Sequence, residues 1–150
     1  MNYIQNAPHI LFLVLIVILL SYGFYRGNEI LDINVHDTYF VISWKHLMIL
    51  ISILYGLLAL IYFALLKLDF SLINWMTISH VLISIIGLVV LFTLPKFMRE
   101  SLPVDLSAIM ENARFNQRIG YAIATSIFAL LGAQLLFLIN VIYALIKGRF

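Results

Sequence analysis

A chain of 150 residues that is 64% apolar and only 11% charged lies far outside the average for soluble domains, and its solvent is expected to be lipid. The formal charge of +2 is small and scattered among links, which excludes an extended nucleic-acid surface. With no cysteine there is no disulfide framework and no thiolate metal site, so any metal or haem must be held by histidine, carboxylate or methionine.

Four apolar runs follow one another along the chain. The first, about 9–25, carries no charge until Arg26 and sits near the lower length limit for crossing a hydrocarbon core of about 30 Å. A signal peptide is the rival reading. The opening Met1-Asn2-Tyr3-Ile4-Gln5-Asn6-Ala7 lacks Lys and Arg, however, and no clear small-x-small cleavage site follows, so a retained helix is expected.

The link from 26 to 45 carries Glu29, Asp32, His36 and Asp37. Ile30, Asp32, Asn34 and His36 alternate with Leu31, Ile33 and Val35, a period that predicts an extended piece at the membrane surface rather than a helix. The second span, about 46–66, is closed by Lys67 and Asp69, and the short link to Asn74 makes the next helix an antiparallel neighbour. The third, about 75–94, opens on the interfacial anchor Trp75 and stops at Pro95, with Lys96 and Arg99 in the headgroup region.

The longest polar stretch runs from 96 to 118. Pro103, Asp105, Leu106, Ile109, Met110 and Phe115 read as a short helix lying on the membrane, with a ragged apolar stripe. The last span, about 119–146, is long enough to tilt. The expected fold is thus an all-α integral membrane four-helix bundle, a single transmembrane domain over 1–150, with both termini on one side of a multi-pass chain.

Small residues four apart favour close helix packing: Ser52 with Gly56, Gly120 with Ala124, and Ala129 with Ala133. Gln134 and Asn140 lie within the last span and should face other helices, because an unpaired amide in lipid is costly. His80, within the third span, should likewise face the protein and find a hydrogen bond. Tyr22, Tyr25, Tyr55 and Tyr62 read as packing or interfacial residues. There is no Gly-rich phosphate loop, no nucleophile with a base at sensible spacing and no pair of buried acids.

One stretch stands apart. Asn34-Val35-His36-Asp37-Thr38-Tyr39-Phe40-Val41-Ile42-Ser43-Trp44-Lys45-His46 gathers two of the four histidines, an acid, aromatic residues and a cation at the mouth of the second span. From His36 to His46 it closely resembles the signature opening the tenth transmembrane helix of subunit I of the haem-copper oxidases, the cytochrome c and quinol oxidases, where the pattern is His-Asp-Thr-Tyr-Tyr-Val-Val-Ala-His-Phe-His. The stretch from Trp75 to His80 is similar to the Trp-x-x-x-His start of the eleventh helix with one extra residue, and 119–150 is similar to the twelfth. The chain then corresponds to the last third of that fold.

The resemblance implies roles residue by residue. His36 and Asp37 inherit a place at a non-redox magnesium ion near the haem propionates. His46 inherits the axial position on the low-spin haem. The ligand of the oxygen-reducing haem falls at Trp44, which cannot coordinate iron. The family's copper ligands, its cross-linked tyrosine and the second low-spin axial ligand lie on helices this chain does not possess, and Lys96 and Arg99 are spaced differently from the family's arginine pair. Oxygen reduction by this chain alone is not expected.

Read without the resemblance, His46 beside Lys45 is an interfacial polar residue, and His36 and Asp37 cap and order their loop through backbone hydrogen bonds. Two protein ligands do not complete an octahedral magnesium site. By span geometry His46 and His80 start from opposite membrane faces and differ in depth by about 20 Å, too far to share one iron. His9 lies on the His80 side, so a bis-histidine haem would need a second chain.

Orientation has two readings. Arg26, Lys45, Lys96, Arg99, Arg114 and Arg118 outnumber Lys67, Lys147 and Arg149, which places the His36 link in the cytoplasm by the positive-inside rule. The oxidase orientation places it outside, and an eleven-residue motif carries more weight. The leading expectation is a non-catalytic accessory subunit, in the inner or cytoplasmic membrane, that associates with other membrane-protein subunits of a respiratory type of complex. The alternatives are a haem-binding electron-transfer subunit using His46 with a partner-supplied ligand, and a simple divalent-metal site at the surface.

Overall fold

The computed structural model describes residues 6–27, 29–35, 38–99 and 106–148, without the side chains of 32–35 and 38–40. Its elements are α1 (Pro8–Arg26), β1 (Ile30–Val35), β2 (Thr38–Ser43), α2 (Trp44–Lys67), α3 (Asn74–Thr93), a 3₁₀ turn (Leu94–Phe97) and α4 (Leu106–Lys147). All four α-helices are long and apolar enough to cross a membrane. The chain is an essentially all-α, multi-pass membrane protein whose outer faces, including Val17, Leu60, Phe128 and Leu135, are exposed to a hydrocarbon surrounding.

Local sequence accounts for the ends. Pro8 sits at the first position of α1, where its missing N–H is no loss. Gly27, at φ 41°, closes that helix by donating to the Gly23 carbonyl. α2 ends in two reverse hydrogen bonds, Phe70 N–H to Leu65 O at 2.9 Å and Asp69 N–H to Leu66 O at 3.2 Å, which force Asp69 to φ 59°. Pro95 tightens the end of α3 into the 3₁₀ turn.

Two expectations need correction. The 96–118 stretch holds no separate surface helix within its described part, because α4 begins at Leu106 and runs unbroken for 42 residues. The physical reason is that Leu106 to Arg118 contains no Gly or Pro and is rich in helix formers, so nothing ends the helix at the membrane border. The second correction concerns Gly120 and Ala124. A β-carbon added at Gly120 meets nothing within 4 Å, and Ala124 is exposed. That small pair makes no close approach among the described residues.

The expected extended link is a β-hairpin. β1 and β2 pair antiparallel from Ile30 opposite Ser43 to Val35 opposite Thr38.

The chain divides into two compact units, Met1–Leu72 with Ala144–Phe150, and Ile73–Tyr143. In the first unit, α1 packs antiparallel on α2 along a seam of Phe12, Leu15, Leu19 and Gly23 against Met48, Ser52, Tyr55, Ala59 and Tyr62. Phe12 is fully buried with its ring 5.5 Å from Tyr55 and 6.0 Å from Tyr62. Gly23 allows the helices together, since a β-carbon there would lie 2.6 Å from Met48 Cβ.

In the second unit, α3 pairs antiparallel with α4. Thr77, His80, Val81, Ser84, Gly87 and Leu88 are the buried positions of α3, again at spacings of three and four. A β-carbon at Gly87 would lie 2.7 Å from Leu130 Cδ2.

Candidate functional site

The mouth of α2 is built by its cap. Ser43 has extended backbone and its hydroxyl accepts from the His46 N–H at 3.4 Å, ending β2 and starting the helix in one residue. The same hydroxyl meets His46 Nδ1, so the third residue of the helix reaches back to its cap in a reciprocal arrangement. His46 is exposed, and with Nδ1 held by Ser43 its Nε2 is the nitrogen left for a ligand.

Trp44 has a different task from the haem ligand whose place it takes in the resemblance. Its ring lies 5.0 Å from the Arg26 guanidinium carbon and meets the Tyr22 ring edge-on at 5.8 Å. Arg26 Nη1 donates to the Tyr22 hydroxyl at 3.0 Å, and Nη2 pairs with Glu29 Oε2. The Trp44 N–H donates to the Glu29 carbonyl at 3.0 Å, tying the start of α2 to the end of α1. Lys45 Nζ rests 5.2 Å from the Phe24 ring centre. Cations over aromatic faces at this level form an interfacial anchor. The hydrogen bond from Arg26 holds the Glu29 carboxyl below the ordinary carboxylate range.

Of the three sequence-predicted site residues, the structure therefore places His46. His36 and Asp37, the expected magnesium pair, lie outside the described residues. Among the described residues, no group of three or more His, Asp or Glu side chains is gathered for a metal ion.

The second unit holds a buried polar column. His80 is fully buried, stacked on Phe137 with ring centres 5.0 Å apart and hydrogen-bonded with the Gln134 side chain. One turn nearer the start of α3, Asn140 accepts from the Ile73 N–H at 2.8 Å and donates to Thr77 Oγ1 at 2.9 Å. Both amides of the last span face α3, as the cost of an unpaired amide in lipid demands.

Sequence reasoning missed the Arg26–Trp44–Tyr22 group. The only available signal was an aromatic and cation content at both ends of one link, because the contact joins residues 18 apart in sequence. It also passed over Gly23 and Gly87, whose place in the spacing Phe12, Leu15, Leu19, Gly23 and Thr77, His80, Ser84, Gly87 marks each packed seam.

Compared with known proteins, the chain matches no family model, no curated protein and no solved structure. Nothing in these comparisons bears on the resemblance to haem-copper oxidases expected from the His36 to His46 motif.

Proposed function

We propose that the chain is a non-catalytic accessory subunit of a membrane complex of the respiratory type, related to the C-terminal helices of oxidase subunit I. The observation that carries this reading is the equipment at the α2 mouth. One imidazole, His46, stands exposed beside Trp44, whose ring is committed to Arg26 and Tyr22. Among the described residues the α2 mouth offers one ligand, His46, and in this reading the rest of its function comes from other membrane-protein subunits.

A second reading is favoured by one detail. Haem-ligating histidines use one ring nitrogen for the iron and have the other fixed by a hydrogen bond. Ser43 supplies that bond to His46 Nδ1. In this reading His46 is one axial ligand, a partner chain supplies the other, and His36 and Asp37 serve the propionate end with or without magnesium.

Gentle solubilisation from the native membrane, followed by a reduced-minus-oxidised visible spectrum and identification of co-purifying chains, tests both. Colourless, folded protein that brings other membrane proteins with it supports the accessory subunit. A low-spin haem band that disappears in His46→Ala replaces it with the electron-transfer reading. Folded protein with neither band nor partner overturns both.

A further inference from the structure

Arg114 and Arg118 stand four residues apart on α4, both exposed, and neither makes an ion pair among the described residues. Like charges at that spacing lie one above the other on a helix and repel. Glu111, the only acid in α4, pairs with Arg99 at 3.5 Å instead. The two guanidinium groups are thus left without a counter-charge among the described residues.

The same face of the helix changes character along its length. Steps of three and four residues return to one side, so Arg114, Arg118, Tyr121, Thr125, Phe128 and Gly132 share a stripe. The positions of α4 that are buried, Ala133, Phe137 and Asn140, lie roughly a third of a turn away. The Tyr121 hydroxyl accepts from Gln117 Nε2 at 3.1 Å, which leaves its own proton to donate. Thr125 turns its hydroxyl back to the Tyr121 carbonyl at 2.8 Å and so presents a methyl. Phe128 is exposed, and a β-carbon added at Gly132 meets nothing within 4 Å. Donors therefore give way to an apolar surface, and every group belongs to one helix.

The change falls at the membrane border. Asn116 holds the Arg99 backbone by two 2.8 Å hydrogen bonds, four residues past Pro95, where the α3 span stops. The apolar run of α4 starts at Ile119. Arg114 and Arg118 accordingly lie in the headgroup layer, and Phe128 lies about 15 Å deeper than Arg118 at 1.5 Å per residue. A phospholipid has its phosphate at the first level and its chains at the second.

We propose that this face of α4 binds an anionic phospholipid, its phosphate held by Arg114, Arg118 and the Tyr121 hydroxyl and an acyl chain lying over Phe128 and Gly132. Guanidinium groups suit phosphate oxygens, and a phosphate between them removes their repulsion. A zwitterionic head would add a cation where the one nearby carboxylate is already committed to Arg99. This face is independent of the α2 mouth and of the function proposed for it.

The test uses the full chain in phosphatidylcholine nanodiscs. The sequence has no cysteine, so Ala124→Cys carries a single bimane beside the stripe. Nitroxide-labelled phosphatidylglycerol and, in parallel, nitroxide-labelled phosphatidylcholine are added at the same mole fraction, and quenching gives the preference between them. The expected preference is about twenty- to thirtyfold for phosphatidylglycerol, from about 1 kcal/mol for each arginine, and it should shrink in high salt. Arg118→Gln should lower it about fivefold, and Arg114→Gln with Arg118→Gln should remove it. Tyr121→Phe should lower it by less, through one lost hydrogen bond. Equal quenching by the two lipids overturns the proposal, and so does a preference that survives both arginine substitutions, which is the general attraction of a cationic chain. Excess inorganic phosphate that restores the fluorescence as fully as unlabelled phosphatidylglycerol assigns the arginines to free phosphate and overturns the lipid.

Discussion

A glycine sets the distance between helices in each unit, and the effect is local enough to test one atom at a time. Adding a methyl at Gly23 drives it to 2.6 Å from Met48 Cβ, the base of that side chain, whereas at Gly87 it meets the outer branch of Leu130, Cδ2 at 2.7 Å and Cγ at 2.8 Å. Gly23→Ala should destabilise by about 1–3 kcal/mol through overpacking, and Gly87→Ala by less, because the Leu130 branch can turn away. Gly120→Ala, with open space around it, should be neutral or stabilise by up to about 1 kcal/mol from helix propensity, and unfolding in mild detergent measures all three. Asp69 offers the opposite case. It holds a left-handed backbone at φ 59° to close α2, so Asp69→Gly should stabilise by about 0.5–1 kcal/mol in the same assay, whereas Asp69→Val should destabilise.

Glu29 ties the residue scale to pH. Because Arg26 lowers its carboxyl in the folded chain, the carboxylate's contribution is present above the unfolded value and is lost as acid carries the pH down through the folded one. The pair is exposed and screened, so the effect is a loosening at the α2 mouth rather than global unfolding. Trp44 fluorescence in a Trp75→Phe background should change below about pH 4.5, the ordinary range for a glutamate, and lose that step in Glu29→Gln.

At the scale of elements, the α3–α4 pair is joined by Asn140 as much as by apolar packing. Its amide satisfies the Ile73 N–H, one of the orphan donors at the start of α3, and reaches Thr77 as well. Asn140→Leu should cost about 1–2 kcal/mol, and Thr77→Val less, as measured by unfolding of the reconstituted protein. How much of each element was legible depended on what marked its ends. Arg26, Lys67 and Pro95 bracket apolar runs, and the helices there fall within a residue or two of expectation. α4 carried no such mark at its amino-terminal side. The ragged stripe through Leu106, Ile109, Met110 and Phe115 looked like an interfacial piece, while helix propensity continued across the border unopposed. Small pairs were equally ambiguous, for a small residue permits a close approach without causing one. Ser52, Gly56 and Ala133 lie on or beside the seams, and Gly120 and Ala124 do not. At the candidate site, the motif singled out His46 for attention, and the structure puts it exposed at the helix mouth, but the cation–aromatic group around Trp44 exists only once α1, the hairpin and α2 bring Arg26 back to it.

For the whole molecule, the bilayer sets the frame. At about 1.5 Å per residue, α1, α2 and α3 span roughly 28, 36 and 30 Å, matched to a core of about 30 Å, whereas the 42 residues of α4 reach about 63 Å. Its excess lies at the Leu106 end, where Asn116 clasps the Arg99 backbone by two 2.8 Å hydrogen bonds and Arg99 rests 4.2 Å from the Phe115 ring centre while pairing with Glu111. The projecting part of α4 is thus mechanically continuous with the span and braced on the segment after α3. Such a helix behaves as a drive shaft. Each residue added or removed at the membrane border would turn the outer section by about 100° relative to the buried one and pull Asn116 off Arg99. Torque applied to the outer end by a bound molecule would arrive, by the same rigid connection, at the layer where Gln134 meets His80 and Asn140 meets Thr77.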